Sequence, residues 1–354
     1  MVKIESFFKA QNIFDSSHGN QKELFKKTIK KLTKYHSDNC KDYKNIIKIL
    51  SSRKKNLNEL SDLPFLPTRI FKNKELKSIK NKDVFKTLLS SGTSTSARSK
   101  IYLDKENSNN QIKALSKILS SHFGKKRMPM LVIDKDPSFL DSRSKFSAST
   151  AAIYGFSIFA LKQFFLIDKN NKINFNILDE FLRKYSDKDF IIFGFTSQIY
   201  EYLLKRKFDK KLNFTNAILI HGGGWKKLEK FKVSNKVFKS KIKNKFGIKK
   251  VHNYYGLVEQ TGSIFFECKN GYFVTSIFSD VIIRNKDFKI LTNGKRGFIQ
   301  LLSVLPTSYP GHNLITEDIG EIYTGYCDCG LGGKHFIVHG RAKEAEIRGC
   351  SDTK

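Results

Sequence analysis

The chain contains the stretch Ala217-Ile218-Leu219-Ile220-His221-Gly222-Gly223-Gly224-Trp225, in which a short apolar run meets three consecutive glycines. A run of this length that is bounded by glycine is typical of a buried strand. Glycine lets another molecule approach the backbone closely, and in open α/β sheets ligands bind beyond the carboxyl ends of the strands. The stretch therefore predicts a buried strand of an α/β sheet with a ligand site at its end.

Further short apolar runs alternate with helical periodicity on both sides of this stretch. The predicted strands are residues 130–134, 190–195, 217–221, 251–255, 281–284, 298–304 and 321–323. The predicted helices are residues 106–122, 177–185, 197–206 and 233–246. Strands that alternate with helices predict an α/β fold with largely parallel sheets. The last third of the chain has strands with few helices between them and predicts a small β-rich subdomain.

The N-terminal part of the chain is predicted to be mainly helical. Apolar side chains recur at helical spacing among lysines in residues 21–50, which indicates an amphipathic helix pair. Residues 63–67, Leu-Pro-Phe-Leu-Pro, break this period and predict an extended segment. We expect a helical segment at residues 1–86 packed on a core at residues 87–340, followed by a hinge-like tail at residues 341–354.

Composition limits the class of protein. The chain has 354 residues, of which 40% are hydrophobic, so it can bury a sizeable core. Five cysteines in a long chain make a disulfide framework improbable, and the absence of a long apolar run or a secretory signal predicts a cytoplasmic protein. The formal net charge of +32 is spread along the whole chain, which disfavours a specific nucleic-acid partner but favours attraction of phosphate-bearing substrates.

A run of small and hydroxyl residues occupies positions 90–96, followed by Arg98 and Lys100. Backbone N–H groups and hydroxyls can surround phosphate oxygens, and the two cations would supply charge. The run lacks the Gly-Lys-Ser/Thr ending of a Walker loop. It predicts a phosphate-binding loop, with a flexible Ser-rich loop as the alternative.

Three later motifs carry groups suited to nucleotide chemistry. After the predicted strand at residues 251–255, Tyr255 could stack on a base and Glu259 could hold Mg²⁺. Residues 316–320, Thr-Glu-Asp-Ile-Gly, predict a turn with a carboxylate that could accept two ribose hydroxyls. Near the end of the chain, Gly340-Arg341 precedes Cys350, whose cationic neighbours favour the nucleophilic thiolate.

The order of these motifs resembles that of adenylate-forming enzymes and, within them, the LuxE-type acyl-protein synthetases, with the phenylacetate-CoA ligase group as the next neighbour. The likeness covers most of the chain. It also rests on Pro64-Phe65-Leu66-Pro67, Phe71-Lys72, His221-Gly222-Gly223-Gly224-Trp225-Lys226-Lys227, Phe265-Phe266-Glu267-Cys268, Ser308-Tyr309-Pro310-Gly311-His312 and Arg348-Gly349-Cys350-Ser351.

The resemblance implies an α/β fold of the adenylate-forming type with a small β-rich subdomain and without the usual C-terminal lid domain. It implies that ATP and Mg²⁺ convert a carboxylic acid, expected to be a fatty acid, into an acyl-adenylate. The implied ATP and magnesium ligands are Ser90, Ser91, Gly92, Thr93, Ser94, Gly222, Gly223, Gly224, Tyr255, Gly256, Glu259, Asp318 and Arg341. Lys343 lies at the hinge-like position and is a candidate catalytic residue.

In the family, a cysteine near the C-terminus accepts the acyl group as a thioester, and Cys350 matches that motif. We expect Cys350 to be this acceptor, and an acyl reductase or an acyl carrier to be the partner that receives the group. One alternative is a ligase that uses the same adenylation chemistry with coenzyme A or a carrier-protein thiol. A more distant alternative is a non-catalytic nucleotide- or nucleic-acid-binding protein.

Cys268, Cys327 and Cys329 pose a separate question about metal binding. Relatives in the phenylacetate-CoA ligase group have a structural zinc held by cysteines at similar places and by a histidine shortly after the first of them. Here residues 269–274 contain no histidine, although His335 is a candidate replacement. We expect three reduced thiols, with a structural zinc site as the alternative.

Overall fold

A computed structural model describes residues 2–15, 19–51, 58–90, 98–139, 147–209 and 211–342. The helices in these ranges are α1 Glu5–Lys9, α2 Gly19–Asn39, α3 Lys41–Ser51, α4 Ile70–Asn73, α5 Lys105–Phe123, α6 Ala148–Phe156, α7 Phe175–Tyr185, α8 Thr196–Ile199 and α9 Asn235–Phe246. The strands are β1 Leu66–Pro67, β2 Lys86–Leu89, β3 Lys100–Leu103, β4 Met128–Lys135, β5 Ala160–Ile167, β6 Phe190–Phe195, β7 Ala217–Gly222, β8 Lys250–Gly256, β9 Ile264–Glu267, β10 Phe273–Val274, β11 Ser279–Arg284, β12 Gly297–Ser303, β13 Asn313–Ile322 and β14 His335–Arg341.

The described chain forms two compact units. The first unit contains residues 2–90, 98–119 and 256–342, and the second unit contains residues 120–255. None of the helices in the described ranges is both long enough and apolar enough to pass through a membrane.

The second unit is built on a parallel sheet with the strand order β8-β7-β6-β4-β5. Every residue of β6 and β7 is buried, as expected for parallel strands that are covered on both faces. One face packs against apolar side chains of α7 and α9, including Leu178, Phe181, Phe238 and Ile242. The segments that follow Phe195 and Gly222 are therefore attached to a rigid, buried sheet. Such a sheet is a good support for a binding segment.

The first unit is built on an antiparallel sheet with the strand order β9-β10-β14-β13-β12-β11. The short strand β1 pairs in parallel with the first half of β13, and β2 and β3 form a separate antiparallel pair. The N-terminal helices α2 and α3 belong to the same unit. Beyond residue 256, the described chain contains strands and one short 3₁₀ turn but no α-helix, so the predicted β-rich part is confirmed.

The sequence predicts the buried strands and the long helices well. Residues 21–50 do form a helix pair, and the extended segment contains β1. Three expectations differ from the structure. The sheet of the second unit is parallel as predicted, but the sheet of the first unit is antiparallel, because its strands follow one another with few helices between them. The predicted helix at residues 197–206 begins at Thr196 as an α-helix and continues as a π-helical turn, Tyr200–Leu204. The predicted turn at residues 316–320 is wrong, because these residues lie inside β13, where their backbone pairs with β12 and β14.

Candidate functional site

The glycine segment at the end of β7 lies where the sequence places it, and its three glycines have different environments. Gly222 pairs with Tyr254 of β8, and a Cβ atom at Gly222 would meet the Tyr254 ring at 2.5 Å. Gly223 has a φ of +73°, which disfavours any side chain. Gly224 is exposed, and a Cβ atom there would meet no other atom within 4 Å. The segment thus exposes bare backbone at a strand end.

Two aromatic residues hold the tryptophan that follows this segment. Trp225 is buried, and its ring lies 5.2 Å from the ring of Tyr200 and 6.0 Å from that of Phe238, between ring centroids. Both contacts have an edge geometry, which is favourable for aromatic pairs. Trp225 therefore anchors the carboxyl end of the glycine segment in the core of the second unit.

A buried hydroxyl holds the other end of the segment. Thr196 follows β6 directly, and its Oγ1 donates a hydrogen bond to the Gly222 carbonyl oxygen at 3.1 Å. Thr196 Oγ1 also lies 3.0 Å from Nδ1 of His221. Burial lowers the pKa of His221 to about 3, with Lys239 and His252 acting in the same direction, so the imidazole is neutral at physiological pH. Tyr255, also in the second unit, is half-buried at the end of β8.

In the first unit, a pair of serines closes the base of the predicted phosphate loop. The Ser90 N–H donates to the Ser99 carbonyl oxygen at 3.0 Å, and the Ser99 N–H donates to Ser90 Oγ at 2.8 Å. Both residues are buried. Ser91, Gly92, Thr93 and Ser94 lie outside the described residues. Lys100 forms an ion pair with Glu75 at 2.8 Å.

Glu259 lies in a short 3₁₀ turn, Val258–Gln260, and hydrogen bonds of Gln260 hold this turn in place. The Gln260 side-chain amide donates to the carbonyl oxygens of Leu301 and Gly311, at 3.1 and 2.9 Å. Burial raises the pKa of the Glu259 carboxyl, whereas the Ser99 hydroxyl and the charges of Arg341 and Lys72 favour its ionised form. A fixed carboxylate beside the base of the loop is chemically suited to Mg²⁺, which prefers oxygen ligands.

Asp318 and Arg341 face each other across two neighbouring strands of the first unit. They are register partners in β13 and β14, and Arg341 Nε lies 3.9 Å from Asp318 Oδ1. The side chain of Asp318 is 14% exposed and that of Arg341 is 39% exposed. The register of this pairing shifts between Ile319 and Gly320. Asp318 therefore lies in a strand next to an irregularity of the register, and the pairing of β13 with β14 in place of a turn determines its position.

Three cysteines and one histidine come together in the first unit. One ligand atom each from Cys268, Cys327, Cys329 and His335 lies within 4.8 Å of the others. The Sγ atoms of Cys268 and Cys327 are 3.9 Å apart, which excludes a disulfide, and Cys329 Sγ lies 3.0 Å from His335 Nε2. Burial acts to raise the pKa of Cys327, but hydrogen bonds, the largest from Asn270, outweigh it and lower that pKa. Three sulfur atoms and one imidazole nitrogen are the donor set of a closed zinc site, and this geometry fits one.

The structure brings together some of the candidate residues. Glu259, Asp318, Arg341 and the Ser90–Ser99 base belong to the first unit, together with Gly256, whereas the glycine segment and Tyr255 belong to the second. A Cβ atom at Gly256 would meet Ile264 at 2.8 Å. The tail residues Lys343 and Cys350 lie outside the described residues.

Sequence reasoning did not propose roles for Thr196, Ser99 or Lys72. Ser99 is the last serine of the Ser-rich run, and Lys72 stands in a segment that carries the family resemblance. These were the available signals. Thr196 had no sequence signal of its own, because its role depends on strand β7 lying beside β6.

Comparison with solved structures shows which fold the chain has. The fold is that of an adenylate-forming ligase: it is similar to 2-hydroxyisobutyryl-CoA ligase in an open conformation with 2-HIB-AMP and CoA, with a TM-score of 0.70 and 13% identity over 95% of this chain and 78% of that chain. The thioesterification state of that ligase also has a TM-score of 0.70 at 13% identity, over 93% and 70% of the two chains. A third structure, in the postadenylation state with R3-HIB-AMP, has a TM-score of 0.66 at 12% identity, over 93% and 69%.

The family follows from the sequence itself. The model of the family described as "Acyl-protein synthetase, LuxE" matches residues 2–354, and the chain belongs to that family. The resemblance inferred from the motifs is thus confirmed. Comparison with curated protein sequences gives no significant match. Family and fold together define the chain as an adenylate-forming ligase, a class that activates a carboxylic acid as its acyl-adenylate.

Proposed function

We propose that the protein activates a fatty acid with ATP and takes the acyl group onto its own Cys350. The acid carboxylate attacks the α-phosphorus of ATP, and pyrophosphate leaves. The thiolate of Cys350 then attacks the acyl carbonyl carbon, and AMP leaves as a thioester forms. The observation that carries this proposal is the family match over residues 2–354, a range that includes the cysteine motif near the C-terminus.

The geometry of the first unit supports the adenylation step. Adenylyl transfer depends mainly on positioning and on neutralising charge, because the phosphate oxygens carry most of the charge that changes. Glu259 would hold Mg²⁺, Asp318 would accept the ribose hydroxyls, and Arg341 supplies positive charge beside both carboxylates. Magnesium, when bound, would neutralise the phosphates and the departing pyrophosphate. Lys343, Tyr255, Gly256 and the residues from Ser90 to Ser94 keep their implied roles in this proposal.

Acid-dependent exchange between ATP and labelled pyrophosphate tests the first step directly. A panel of acids of increasing chain length should give exchange with at least one fatty acid. The Glu259→Ala variant should lose at least about 100-fold in exchange rate, the size of effect that follows removal of one group that stabilises transition-state charge. Wild-type protein that shows no exchange with any acid would favour a non-catalytic nucleotide-binding or nucleic-acid-binding protein.

Transfer of labelled acid to the protein tests the second step. Wild type incubated with labelled acid and ATP should retain the label after denaturation and lose it in hydroxylamine, which cleaves thioesters. Cys350→Ser should not retain the label, although it should still exchange pyrophosphate. Cys40→Ser is the matched control and should be labelled like wild type, because burial raises the pKa of Cys40 and makes it a poor nucleophile. Label that persists in Cys350→Ser would contradict self-acylation.

The main alternative keeps adenylation but delivers the acyl group to coenzyme A or to a carrier-protein thiol. An acyl reductase or an acyl carrier could also be the later partner of Cys350. Adding coenzyme A or a carrier protein to the Cys350→Ser variant distinguishes the two schemes. Acyl transfer in that variant at the wild-type rate would favour the alternative ligase.

We also propose that Cys268, Cys327, Cys329 and His335 hold a structural zinc ion. The supporting observation is the closeness of their four ligand atoms, which come from β14 and from loops far apart in sequence. Such a site links these segments and adds to folding stability. Elemental analysis of protein purified without chelators should find about one zinc per chain, and Cys329→Ser should reduce that content. Equal zinc content in the two proteins would contradict the assignment.

A further inference from the structure

The buried contact between Thr196 and His221 has one arrangement of protons that satisfies both hydrogen bonds. Thr196 Oγ1 lies 3.1 Å from the Gly222 carbonyl oxygen and 3.0 Å from His221 Nδ1. A carbonyl oxygen can only accept, so the single hydroxyl proton of Thr196 points to Gly222. His221 Nδ1 must then carry the imidazole proton and donate it to Thr196 Oγ1.

This arrangement leaves the other imidazole nitrogen bare. His221 Nε2 is buried and has no hydrogen-bond partner among the described residues, and the residue as a whole is 2% exposed. A buried polar atom without a hydrogen-bond partner lowers the stability of the folded protein. An apolar ring at position 221 would avoid this cost, so we look for the role of the histidine in the hydrogen bond that Nδ1 makes. Among the residues that the structure describes, the only polar partner of the ring is the Thr196 hydroxyl, which holds Gly222.

The carbonyl oxygen to which Thr196 donates belongs to Gly222, the first of the three glycines. Gly222 packs closely against the ring of Tyr254, and Gly223 has a positive φ. The segment ends at the buried ring of Trp225. Free rotation of the Gly222 peptide would redirect the N–H and C=O groups of Gly223 and Gly224. Thr196 and Trp225 fix the two ends, whereas the glycines between them contribute no side chain of their own.

We propose that Thr196 and His221 are positioning residues for the nucleotide, because their hydrogen-bonded pair orients the Gly222 peptide and with it the backbone that meets the adenine of ATP. This inference rests on the proposed adenylation function and deepens it. It predicts that the pair affects binding of ATP and has little effect on binding of the acid. Both residues are buried, so we assign them a positioning role and no contact with the reacting atoms.

Isosteric variants isolate the two hydrogen bonds. Thr196→Val removes the hydroxyl at constant shape, and Thr196→Ser retains it. His221→Asn keeps an N–H donor near the position of Nδ1, whereas His221→Gln moves its amide toward the position of Nε2, where no partner lies. Thr33→Val is the matched control, because Thr33 also donates to a backbone carbonyl, at 3.0 Å, and contacts a histidine, His312, at 2.9 Å, but lies outside the proposed site.

The measurements are the KM values for ATP and for the acid in pyrophosphate exchange, together with ATP binding followed by tryptophan fluorescence. Trp225 is the only tryptophan of the chain, so its emission reports on the glycine segment directly. Thr196→Val and His221→Gln should raise the KM and the dissociation constant for ATP by about five- to tenfold, the ratio expected for one lost hydrogen bond. Thr196→Ser, His221→Asn and Thr33→Val should stay within about twofold of wild type, and the KM for the acid should not change.

The outcomes separate this inference from the proposed function. Wild type that binds ATP and exchanges pyrophosphate, with a Thr196→Val variant of equal ATP affinity, would overturn the positioning role and leave adenylation intact. An equal rise in the KM values for ATP and acid would also overturn it, because a general structural defect has that effect. Wild type that neither binds ATP nor exchanges pyrophosphate would overturn both proposals.

Discussion

At the residue scale, Gly222 and Gly224 differ in the space available for a side chain. A Cβ atom at Gly222 would lie 2.5 Å from the Tyr254 ring, whereas one at Gly224 would meet nothing within 4 Å. Tyr254 is itself packed against Phe156, with 4.8 Å between ring centroids, and cannot easily move away. The spacing of three glycines in the sequence does not reveal this difference.

We expect Gly222→Ala to lower the free energy of unfolding by about 1–3 kcal/mol, because an extra methyl group in a packed site forces its neighbours to shift. Gly224→Ala is the control and should change that free energy by no more than about 0.5 kcal/mol. Urea unfolding of the two variants and wild type measures both values. Equal stability of the two variants would show that the Tyr254 ring can give way.

Also at the residue scale, the first unit contains two stacked, buried histidines, His36 and His312, with ring centroids 5.0 Å apart. Burial lowers the pKa of His36 to about 3, and burial together with the charge of His36 lowers that of His312 well below its usual value. His36 Nδ1 lies 2.8 Å from Ser78 Oγ, its Nε2 lies 3.1 Å from the Pro306 carbonyl oxygen, and its ring contacts the rings of Tyr35 and Tyr43. No carboxylate among these neighbours compensates a charge.

The stability of the protein should therefore fall as the pH drops below about 6.5, the unfolded pKa of histidine. Below that pH the unfolded chain binds protons that the folded chain does not, and the loss continues toward the folded pKa of about 3. Each such histidine contributes a slope of up to about 1.4 kcal/mol per pH unit. Urea unfolding between pH 7.5 and 5 should show a shallower dependence for His36→Gln than for wild type, and identical slopes would contradict this account.

At the scale of elements, a lysine from helix α9 donates hydrogen bonds to the carbonyl oxygens at the end of the π-helical turn Tyr200–Leu204. Lys245, in the last turn of α9, donates through Nζ to the carbonyl oxygens of Leu203 and Leu204, both at 2.8 Å, and to that of Arg206. The last carbonyls of a helix have no partner within it, and a cation there is favourable. The lysine thus connects α9 to the segment that carries Tyr200, one of the supports of Trp225.

We expect Lys245→Met to destabilise the protein by about 1–2 kcal/mol, since it removes charge-assisted hydrogen bonds but keeps the aliphatic stem. Lys243→Met, at an exposed position of the same helix, is the matched control and should change stability by no more than about 0.5 kcal/mol. Chemical unfolding measures the difference. A loss of the same size in both variants would point to net charge and would argue against the capping contact.

At the scale of the whole molecule, the cysteine–histidine cluster lies in the first unit, whereas strands β4, β6 and β7 contribute to the core of the second unit. If zinc occupies that cluster, its removal should affect the two units unequally. Strands β9, β10 and β14 adjoin the cluster, whereas β4, β6 and β7 form the centre of the other sheet. Which strands lose protection when zinc is removed therefore tests both the position of the zinc site and the presence of zinc in it.

Treatment with a chelator should accelerate hydrogen exchange in peptides from β9, β10 and β14 by about tenfold or more, where each factor of ten corresponds to about 1.4 kcal/mol. Peptides from β4, β6 and β7 should be unchanged. Mass spectrometry of exchanged peptides gives both values, and adding zinc back should restore the protection. A uniform acceleration, or none, would contradict a structural zinc in the first unit.

The sequence by itself determined the elements and the chemical types at the site. Apolar runs such as residues 190–195 specify buried strands because local periodicity is enough to do so, and the order of the motifs was enough to indicate the family. Strand β5 was missed because it is an edge strand whose first half is largely exposed, as at Leu161, so that only its last four residues, 164–167, form an apolar run.

Only the tertiary structure decided which side chains meet. It placed Asp318 in a strand opposite Arg341, paired Lys100 with Glu75, brought the distant Cys268 to Cys327, Cys329 and His335, and set Thr196 beside Gly222. The physical reason is that such partners depend on strand register and on long-range packing. These are properties of the whole assembled core, and no local stretch of sequence contains them.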